Sequence, residues 1–108
     1  MVVQPIRSKA ELDIMIKTHE YVVIDAYATW CGPCRNISPI FESLSNRVDR
    51  VKFFKVDVDD APDVAEALGI RAMPTFIFFR NGEKVDEIKG ASPGTLESVV
   101  RSFVGSSA

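Results

Sequence analysis

Apolar residues along this chain repeat with two different periods, and the period changes near residues that favour turns or helix ends. Residues 21–28 and 51–58 are short runs rich in β-branched and aromatic side chains, which predicts two buried strands. Apolar positions three or four residues apart predict four helices, one after Ser8, one from about Cys34, one over residues 61–69 and one after Ser92.

Several of the predicted helix ends carry sequence signals. Ser8 and Glu11 have the Ser-x-x-Glu spacing of a capping box. Gly69 is the predicted C-terminal cap of the third helix, and Ser92 is predicted to cap the fourth, with a proline in its first turn. Pro39 lies within the second helical pattern and is predicted to kink that helix, because it removes one backbone donor.

The segment over residues 75–88 predicts a hairpin, because Asn81 and Gly82 separate two strand-like runs. In the second of these runs, Val85 and Ile88 cannot share a face of the sheet unless the strand contains a bulge.

The strand over residues 51–58 has to be covered on both sides, because Phe53 and Phe54 point to opposite faces of its sheet. With a short opening strand over residues 2–5, strands alternate with helices up to the hairpin, and the fourth helix follows the hairpin. This order favours parallel pairing with an antiparallel edge. The predicted fold class is α/β, a single domain over residues 1–108 with a mixed sheet and helices on both faces.

Composition and charge limit the partners that we expect. The chain has 108 residues, a net charge of -2 and 46% apolar residues, as in an ordinary globular protein. It has no basic run, so we expect no nucleic-acid partner. No apolar run approaches the roughly 20 residues that cross a bilayer, and the first residues lack the pattern of a signal peptide. A cytoplasmic protein, away from membranes and in a reducing compartment, is therefore expected.

Both cysteines of the chain, Cys31 and Cys34, lie in the segment "ATWCGPCRNI" at residues 28–37. A structural zinc site needs four ligands, whereas the chain offers these two cysteines and His19, and an iron–sulfur cluster lacks ligands in the same way. A structural disulfide between residues so close in sequence closes almost no loop and stabilises little. A dithiol that cycles with its disulfide is the interpretation that uses every part of the segment.

The predicted second helix begins just after Trp30, which places Cys31 at a helix N-terminus. Unpaired backbone N–H groups and the helix dipole favour a thiolate there. Cys34 follows on the same side of the first turn, while Gly32 leaves the first sulfur uncrowded and Pro33 suits a first helical turn. The predicted chemistry is thiol–disulfide exchange, in which Cys31 attacks a substrate disulfide and Cys34 displaces the resulting mixed disulfide.

From about residue 5 to residue 104, the chain resembles the thioredoxin family, whose active-site signature is the "WCGPC" found at residues 30–34. Further matches are Asp25 before the signature, Pro39 in the next helix, Lys55 on the third strand, "MPT" at 73–75 and "GA" at 90–91. The resemblance implies the thioredoxin fold, a central mixed five-stranded sheet flanked by four helices on both faces.

By resemblance, Cys31 is the exposed attacking thiol and Cys34 is the buried resolving thiol. Asp25 is then the buried carboxylate that helps to remove the proton from Cys34, and burial predicts a raised pKa for Asp25 because desolvation disfavours its charge. The alternative for Asp25 is an exposed residue at the end of a strand. Lys55 either biases the Asp25 carboxyl toward ionisation or is a solvated lysine at the strand edge.

The resemblance also implies that Pro74 is a cis proline facing the disulfide. The backbone of Met73 would then bind an extended substrate segment through strand-like hydrogen bonds. Simple core packing is the alternative for Met73 and Ala91. The implied substrate contact patch is flat and apolar and consists of Trp30, Gly32, Pro33, Met73, Pro74, Gly90 and Ala91.

Some residues depart from the family pattern. Ala26 and Tyr27 follow the buried aspartate where many bacterial members carry two aromatic residues, and Thr29 replaces a charged residue that is common before the tryptophan. The segment "RAMPTF" at residues 71–76 resembles eukaryotic cytosolic members. We expect these departures to affect partner preference and to leave the exchange chemistry unchanged.

The function implied by the resemblance is a protein-disulfide reductase that carries two electrons from thioredoxin reductase to client proteins. The implied clients include ribonucleotide reductase, peroxiredoxins and methionine sulfoxide reductases. No cofactor is expected to be bound, NADPH acts only through the reductase, and the chain is expected to be a monomer.

Two other functions stay open as alternatives. One is an oxidase or isomerase of secreted proteins, against which the Gly-Pro between the cysteines argues, since oxidising relatives usually carry a histidine there. The other is a docking module without redox function, which would not need both cysteines, Asp25 and Pro74.

Two polar features are interpreted without a catalytic role. His19 is expected to be a solvated residue at the end of the first helix. The acidic run over residues 57–60 is interpreted as a solvated loop and helix cap, since the spaced glycine and glutamate of a calcium-binding EF-hand are missing.

Overall fold

The computed structural model describes residues 3–105, in which strands alternate with helices as the pattern predicted. Residue 2 of the predicted opening strand lies outside the described residues. The strands are β1 (Val3–Pro5), β2 (Tyr21–Tyr27), β3 (Lys52–Asp57), β4 (Thr75–Arg80) and β5 (Glu83–Lys89). The helices are α1 (Lys9–Thr18), α2 (Gly32–Arg47), α3 (Pro62–Leu68) and α4 (Pro93–Gly105).

All five strands form one mixed sheet in the order β1-β3-β2-β4-β5. β3 pairs in parallel with β1 and β2, whereas β4 runs antiparallel to both β2 and β5. The central strand β2 is therefore hydrogen-bonded on both sides. This arrangement confirms the mixed sheet and the thioredoxin fold expected from the sequence.

Each face of the sheet is covered by its own pair of helices. α2 and α4 pack on one face, where Phe53 is buried, and α1 and α3 pack on the other, where Phe54 is buried. The helical contributions to the first face are Ile37, Phe41, Leu44, Leu96 and Val100, and those to the second are Leu12, Ile16, Val64 and Leu68. The opposite orientation of Phe53 and Phe54 thus predicted correctly that both faces are covered.

Packing of α2 on the sheet relies on aromatic contacts. The Phe41 ring lies 5.2 Å from the ring of Phe53 and 5.5 Å from the ring of Phe76, measured between centroids. Such pairs stabilise by about 0.5–1.5 kcal/mol beyond the burial of their area. α2 begins at Gly32, two residues earlier than the apolar period predicted, and it continues through Pro39 to its last residue.

Helix ends follow the sequence signals with two corrections. The Ser8 hydroxyl caps α1 by accepting from the Glu11 N–H at 3.1 Å, but the Glu11 carboxylate accepts from the Arg7 N–H at 2.7 Å instead of closing the box on Ser8. The acidic run at residues 57–60 does not cap α3, whose first residue is preceded by Ala61 without a side-chain hydrogen bond. Asp57 instead binds the backbone N–H groups of the two residues that follow Val58.

The hairpin has the turn and the bulge that its sequence predicted. Asn81 and Gly82 both have positive φ, 53° and 83°, as a two-residue turn of this kind requires. Along the hairpin, Phe78 pairs with Asp86 and the next residue pairs with Lys84, so Val85 is the extra residue of a bulge. β5 is one edge of the sheet, and the three-residue β1 is the other.

Two glycines allow a test of the backbone at the end of α3. Gly69 caps the end of α3 in the left-handed region with φ 69°, whereas Gly94 lies in the first turn of α4. A Cβ added at either position would meet no atom within 4 Å, so the two sites differ in backbone conformation and not in space. We expect Gly69→Ala to lower the free energy of unfolding by about 1–2 kcal/mol, since an L-residue is disfavoured at positive φ.

The matched control, Gly94→Ala, should raise the free energy of unfolding by up to about 1 kcal/mol, because alanine loses less backbone entropy in a helix. Urea unfolding at equilibrium measures both variants. Equal effects of the two substitutions would show that the backbone conformation at Gly69 is not the cause.

Candidate active site

The two cysteines form a disulfide in the first turn of α2. Cys31 is the residue that caps this helix, and its Cα lies 5.3 Å from the Cα of Cys34. The Cys34 backbone N–H donates to the Cys31 sulfur at 3.3 Å, so this sulfur occupies the place where a cap side chain satisfies an unpaired helix donor. The arrangement follows from the local sequence, because Pro33 lacks an N–H in a position where none is needed.

Both sulfurs are buried, as was expected for Cys34 but not for Cys31. Cys31 is 7% exposed and Cys34 is 3% exposed, so Cys31 is the more accessible of the two but is not an exposed residue as expected. The cysteines form a small buried cluster with Ala28, against which Tyr27, Val58 and Met73 pack. Local sequence could not predict this burial, since Val58 and Met73 are distant in the chain.

The structure brings the predicted contact residues together around the disulfide. The peptide bond from Met73 to Pro74 is cis, as expected, and the Met73 carbonyl oxygen lies 3.7 Å from the Cys31 sulfur. The Gly90 N–H donates to the Pro74 carbonyl at 3.0 Å, which holds the loop of Gly90 and Ala91 beside the cis proline. Met73 and Ala91 are half-buried, so each combines core packing with an accessible surface.

Trp30 is fixed by a residue that the sequence interpretation missed. Its side chain is 65% exposed, and its indole N–H donates to the Asp59 carboxylate at 2.9 Å. Asp59 belongs to the acidic run that was interpreted as a solvated loop. The exposed tryptophan and the nearby carboxylates are visible in the sequence, but their pairing across 29 residues depends on the fold.

Asp25 is buried at the end of β2 and lies directly opposite Lys55 of β3 in the parallel register. The carboxyl is 4% exposed, and its Oδ1 atom has no hydrogen-bond partner among the described residues. Desolvation by burial raises the pKa of Asp25 to about 7, although the Lys55 ammonium acts in the opposite direction. The burial and the raised pKa of Asp25 agree with the prediction, and of the two interpretations of Lys55 the structure favours the one in which its charge acts on the Asp25 carboxyl.

Asp25 and Cys34 share a cleft of about 200 Å³ that begins behind the disulfide. We call it the Asp25 cleft; its other walls are Tyr27, Ala28, Thr29, Arg35, Ser38 and Lys55. Two of these walls are linked, because the Arg35 guanidinium donates to the Thr29 carbonyl at 2.8 Å. A titratable carboxyl is thus held in the same enclosure as the inner sulfur.

Metal coordination and membrane insertion find no support over residues 3–105. Within this range no three histidine, cysteine, aspartate or glutamate residues are grouped so that they could hold a metal ion. Nor is any helix of this range long and apolar enough to cross a membrane. His19 caps the C-terminus of α1 as predicted, but it is half-buried instead of fully solvated, with its ring 6.1 Å from the ring of Phe54.

A capped disulfide, a cis proline beside it and a buried carboxyl behind it together define a dithiol–disulfide oxidoreductase. Comparison with known proteins leads to the same class. Residues 3–102 match the Thioredoxin family model. The chain therefore belongs to the thioredoxin family, whose members are protein-disulfide oxidoreductases that need no bound cofactor.

Individual relatives agree in sequence and in structure. The chain is 47% identical to the thioredoxin of Malassezia sympodialis over 100 residues, covering 91% of this chain and 95% of the relative. The solved structure of that protein superposes with a TM-score of 0.90, at 45% identity and covering 95% and 94% of the two chains.

Two further matches differ in context. Thioredoxin-2 of Pyricularia oryzae is 43% identical over 93% of this chain, which spans 58% of that longer relative. Another match is a chain from a structure that concerns thiol resolution in yeast mitochondrial 1-Cys peroxiredoxin via glutathione/thioredoxin systems. That chain is 36% identical and superposes with a TM-score of 0.88, covering 92% of this chain and 93% of its own length.

Asp25 should make the stability of the oxidised protein depend on pH. Its pKa is about 7 in the folded chain against 3.8 for an ordinary aspartate, so the folded state binds the proton more tightly. Stability is then lost as the pH rises from about 4 to about 7, and the full cost is present above that window. We expect Asp25→Asn to raise the free energy of unfolding by about 4 kcal/mol at pH 8 and by little at pH 4.

Urea unfolding of the oxidised protein at several pH values measures this effect. Asp49→Asn, at an exposed position, is the matched control and should leave the pH dependence of the wild type in place. If Asp25→Asn gave the same pH dependence as the wild type, the assignment of the raised pKa to Asp25 would be wrong.

Removal of the Asp59 carboxylate should free the indole of Trp30. The hydrogen bond restrains an exposed side chain by about 1 kcal/mol, so Asp59→Ala should speed the local motion of the single tryptophan in fluorescence anisotropy decay. Asp60→Ala removes a carboxylate at the adjacent residue without breaking this hydrogen bond, and it should leave the anisotropy decay unchanged. Equal effects of both variants would show that charge, not the bond, restrains Trp30.

Proposed function

We propose that the protein is a reductant of protein disulfides, with Cys31 as the attacking sulfur and Cys34 as the resolving sulfur. The observation that carries this assignment is the hydrogen bond from the Cys34 N–H to the Cys31 sulfur at the N-terminus of α2. A backbone donor and the helix dipole both stabilise negative charge on that sulfur once the disulfide is reduced. The order of the two roles also agrees with Cys31 being the more accessible sulfur.

The exchange proceeds in two steps. The Cys31 thiolate attacks one sulfur of a client disulfide, a mixed disulfide forms, and the other client sulfur leaves as a thiolate. Cys34 then loses its proton and attacks the Cys31 sulfur, which releases the second client thiolate. The client gains two electrons, and the protein ends with the Cys31–Cys34 disulfide, the state described above.

Asp25 acts in the second step as the acceptor of the Cys34 proton. The shared cleft and a carboxyl pKa of about 7 support this role, because a base whose pKa lies near the working pH can both take up and give back a proton. Lys55 modulates the base, since its charge lowers the pKa of Asp25.

Clients bind across the flat patch formed by Trp30, Gly32, Pro33, Met73, Pro74, Gly90 and Ala91. An extended client segment pairs with the backbone of Met73, a mode of recognition that depends little on client sequence. Support for this patch comes from the closeness of Met73 to the Cys31 sulfur and from the link between Gly90 and Pro74.

The chain functions as a single domain over residues 1–108, as a monomer and as a carrier in electron transport. A separate NADPH-dependent thioredoxin reductase restores the dithiol. Peroxiredoxins are proposed clients, since one related structure concerns a peroxiredoxin resolved via a thioredoxin system; ribonucleotide reductase and methionine sulfoxide reductases are proposed by family resemblance. The eukaryotic cytosolic type and the cytoplasmic location rest on "RAMPTF" at residues 71–76.

Reduction of insulin by dithiothreitol tests the proposed roles. The wild type should accelerate the reaction, and both Cys31→Ser and Cys34→Ser should abolish the acceleration. Cys34→Ser alone should accumulate a mixed disulfide with the client, because attack still occurs but resolution does not. Trapping by Cys31→Ser instead would reverse the assignment of the two sulfurs.

The same proteins distinguish the alternatives. An oxidase or isomerase would transfer its disulfide to a reduced client faster than it reduces an oxidised one. A docking module would leave insulin reduction unaccelerated in the wild type, while Cys31→Ser would retain its partners without any covalent trap.

A further inference from the structure

Tyr27 lies where two clefts meet. It lines the Asp25 cleft and also a second cleft of about 300 Å³, which lies toward the end of β1 at Pro5 and which we call the outer cleft. Lys55 is the other side chain common to both clefts. The remaining walls of the outer cleft are Pro5, Ile6, Arg7, Asp57 and Asp60.

The strand register explains this position. On the face that α2 covers, Val23 of β2 and Phe53 of β3 belong to the apolar core and lie opposite each other. The next pair along this face is Asp25 with Lys55, and the last is Tyr27 with Asp57. Tyr27 is therefore the last β2 side chain between the Asp25 carboxyl and the end of the sheet.

Packing fixes the tyrosine in this place. Tyr27 contacts the buried cluster of the two cysteines, and its backbone carbonyl accepts from the Val58 N–H at 3.0 Å. Desolvation, followed by the charges of Asp57, Asp25 and Asp60, raises the pKa of the Tyr27 phenol, with Arg7 opposing them. The phenol is therefore neutral at physiological pH and adds no charge to the clefts it separates.

We propose that Tyr27 is a positioning residue for the proton transfer of the exchange reaction, because its ring separates the Asp25 carboxyl from the water and charges of the outer cleft. This inference rests on the proposed function, in which Asp25 receives the proton of Cys34. Tyr27 keeps the second aromatic residue of the common bacterial pattern, and the departure from that pattern lies at Ala26.

The direction of the effect follows from the surroundings of both groups. The charged or titratable groups around Asp25 are Lys55 of β3, Cys34 and Arg35 of α2, and Tyr27 itself; those around Tyr27 are Arg7, Asp57 and Asp60. Removal of the ring would join the clefts and hydrate the Asp25 carboxylate, which lowers the pKa of Asp25. The two outer carboxylates would act the other way, but water and salt screen them.

Tyr27→Phe and Tyr27→Ala form the matched pair that tests this inference, because only the second opens the wall. The measurement is an NMR titration of the Asp25 side-chain carboxyl carbon in the oxidised protein. We expect the phenylalanine variant to titrate like the wild type and the alanine variant to titrate lower by about one pH unit. At pH 7, release of a client from its mixed disulfide should slow by about two- to fivefold in the alanine variant alone, because the loss of basicity outweighs the larger ionised fraction of Asp25.

Each other outcome has a definite consequence. An unchanged Asp25 titration in Tyr27→Ala, or a shift in Tyr27→Phe as large as in Tyr27→Ala, overturns the positioning role. If circular dichroism shows Tyr27→Ala unfolded, Tyr27→Leu replaces it, and the absence of any downward shift in that variant overturns the role equally.

Asp25→Asn separates this inference from the proposed function. If client release keeps its wild-type rate and pH dependence in Asp25→Asn, the role of Asp25 fails whatever Tyr27 does. If Asp25→Asn slows release but the two Tyr27 variants titrate alike, only the role of Tyr27 fails.

Discussion

The site depends on the apolar packing of α2 against the central strands of the sheet. Phe41 of α2 fits between Phe53 and Phe76, and Ile37 and Leu44 are fully buried beside it. This packing fixes the first turn of the helix over the end of β2. One contact surface therefore has two effects: it directs backbone donors of the helix toward one sulfur, and it removes water from the carboxyl beneath the other.

These two effects place opposite demands on the protein. Stabilising a charge at the N-terminus of α2 needs exposed backbone donors, whereas a carboxyl that exchanges protons near neutral pH needs burial. The chain meets them on two adjacent elements, with Cys31 at the N-terminus of α2 and Asp25 buried on β2, and the Lys55 charge offsets part of the effect of burial on Asp25. The desolvation of the Asp25 carboxyl, which raises its pKa, shows that this part of the sheet is not optimised for stability alone.

Most of the fold could be predicted because its signals are local. The turn at Asn81, the bulge at Val85 and the αL end of α3 at Gly69 each follow from a few neighbouring residues. The apolar period alone placed the start of α2 at about Cys34, because Gly32 and Pro33 add nothing to that period, whereas the fit of Pro33 to a first helical turn correctly predicted a start just after Trp30. The Glu11 carboxylate was assigned to the backbone N–H of Ser8 but binds that of Arg7, one residue earlier in the chain.

The site was less predictable where it depends on distant contacts. The residues around the disulfide could be named from the family signature, but the accessibility of Cys31 depends on Met73, 42 residues away. The partner of Trp30 and the shared wall at Tyr27 likewise arise from strand register and loop placement. Sequence patterns describe what each element contains, whereas these contacts depend on how the elements meet.

The two edges of the sheet have a consequence for how this molecule meets exposed strands of other chains. β1 offers three residues and ends in Pro5, while β5 carries Lys84, Asp86 and other charged side chains around its bulge. Short, charged or irregular edges are poor templates for intermolecular strand addition. Strand addition along either edge of this sheet, and the aggregation that would follow from it, are therefore disfavoured.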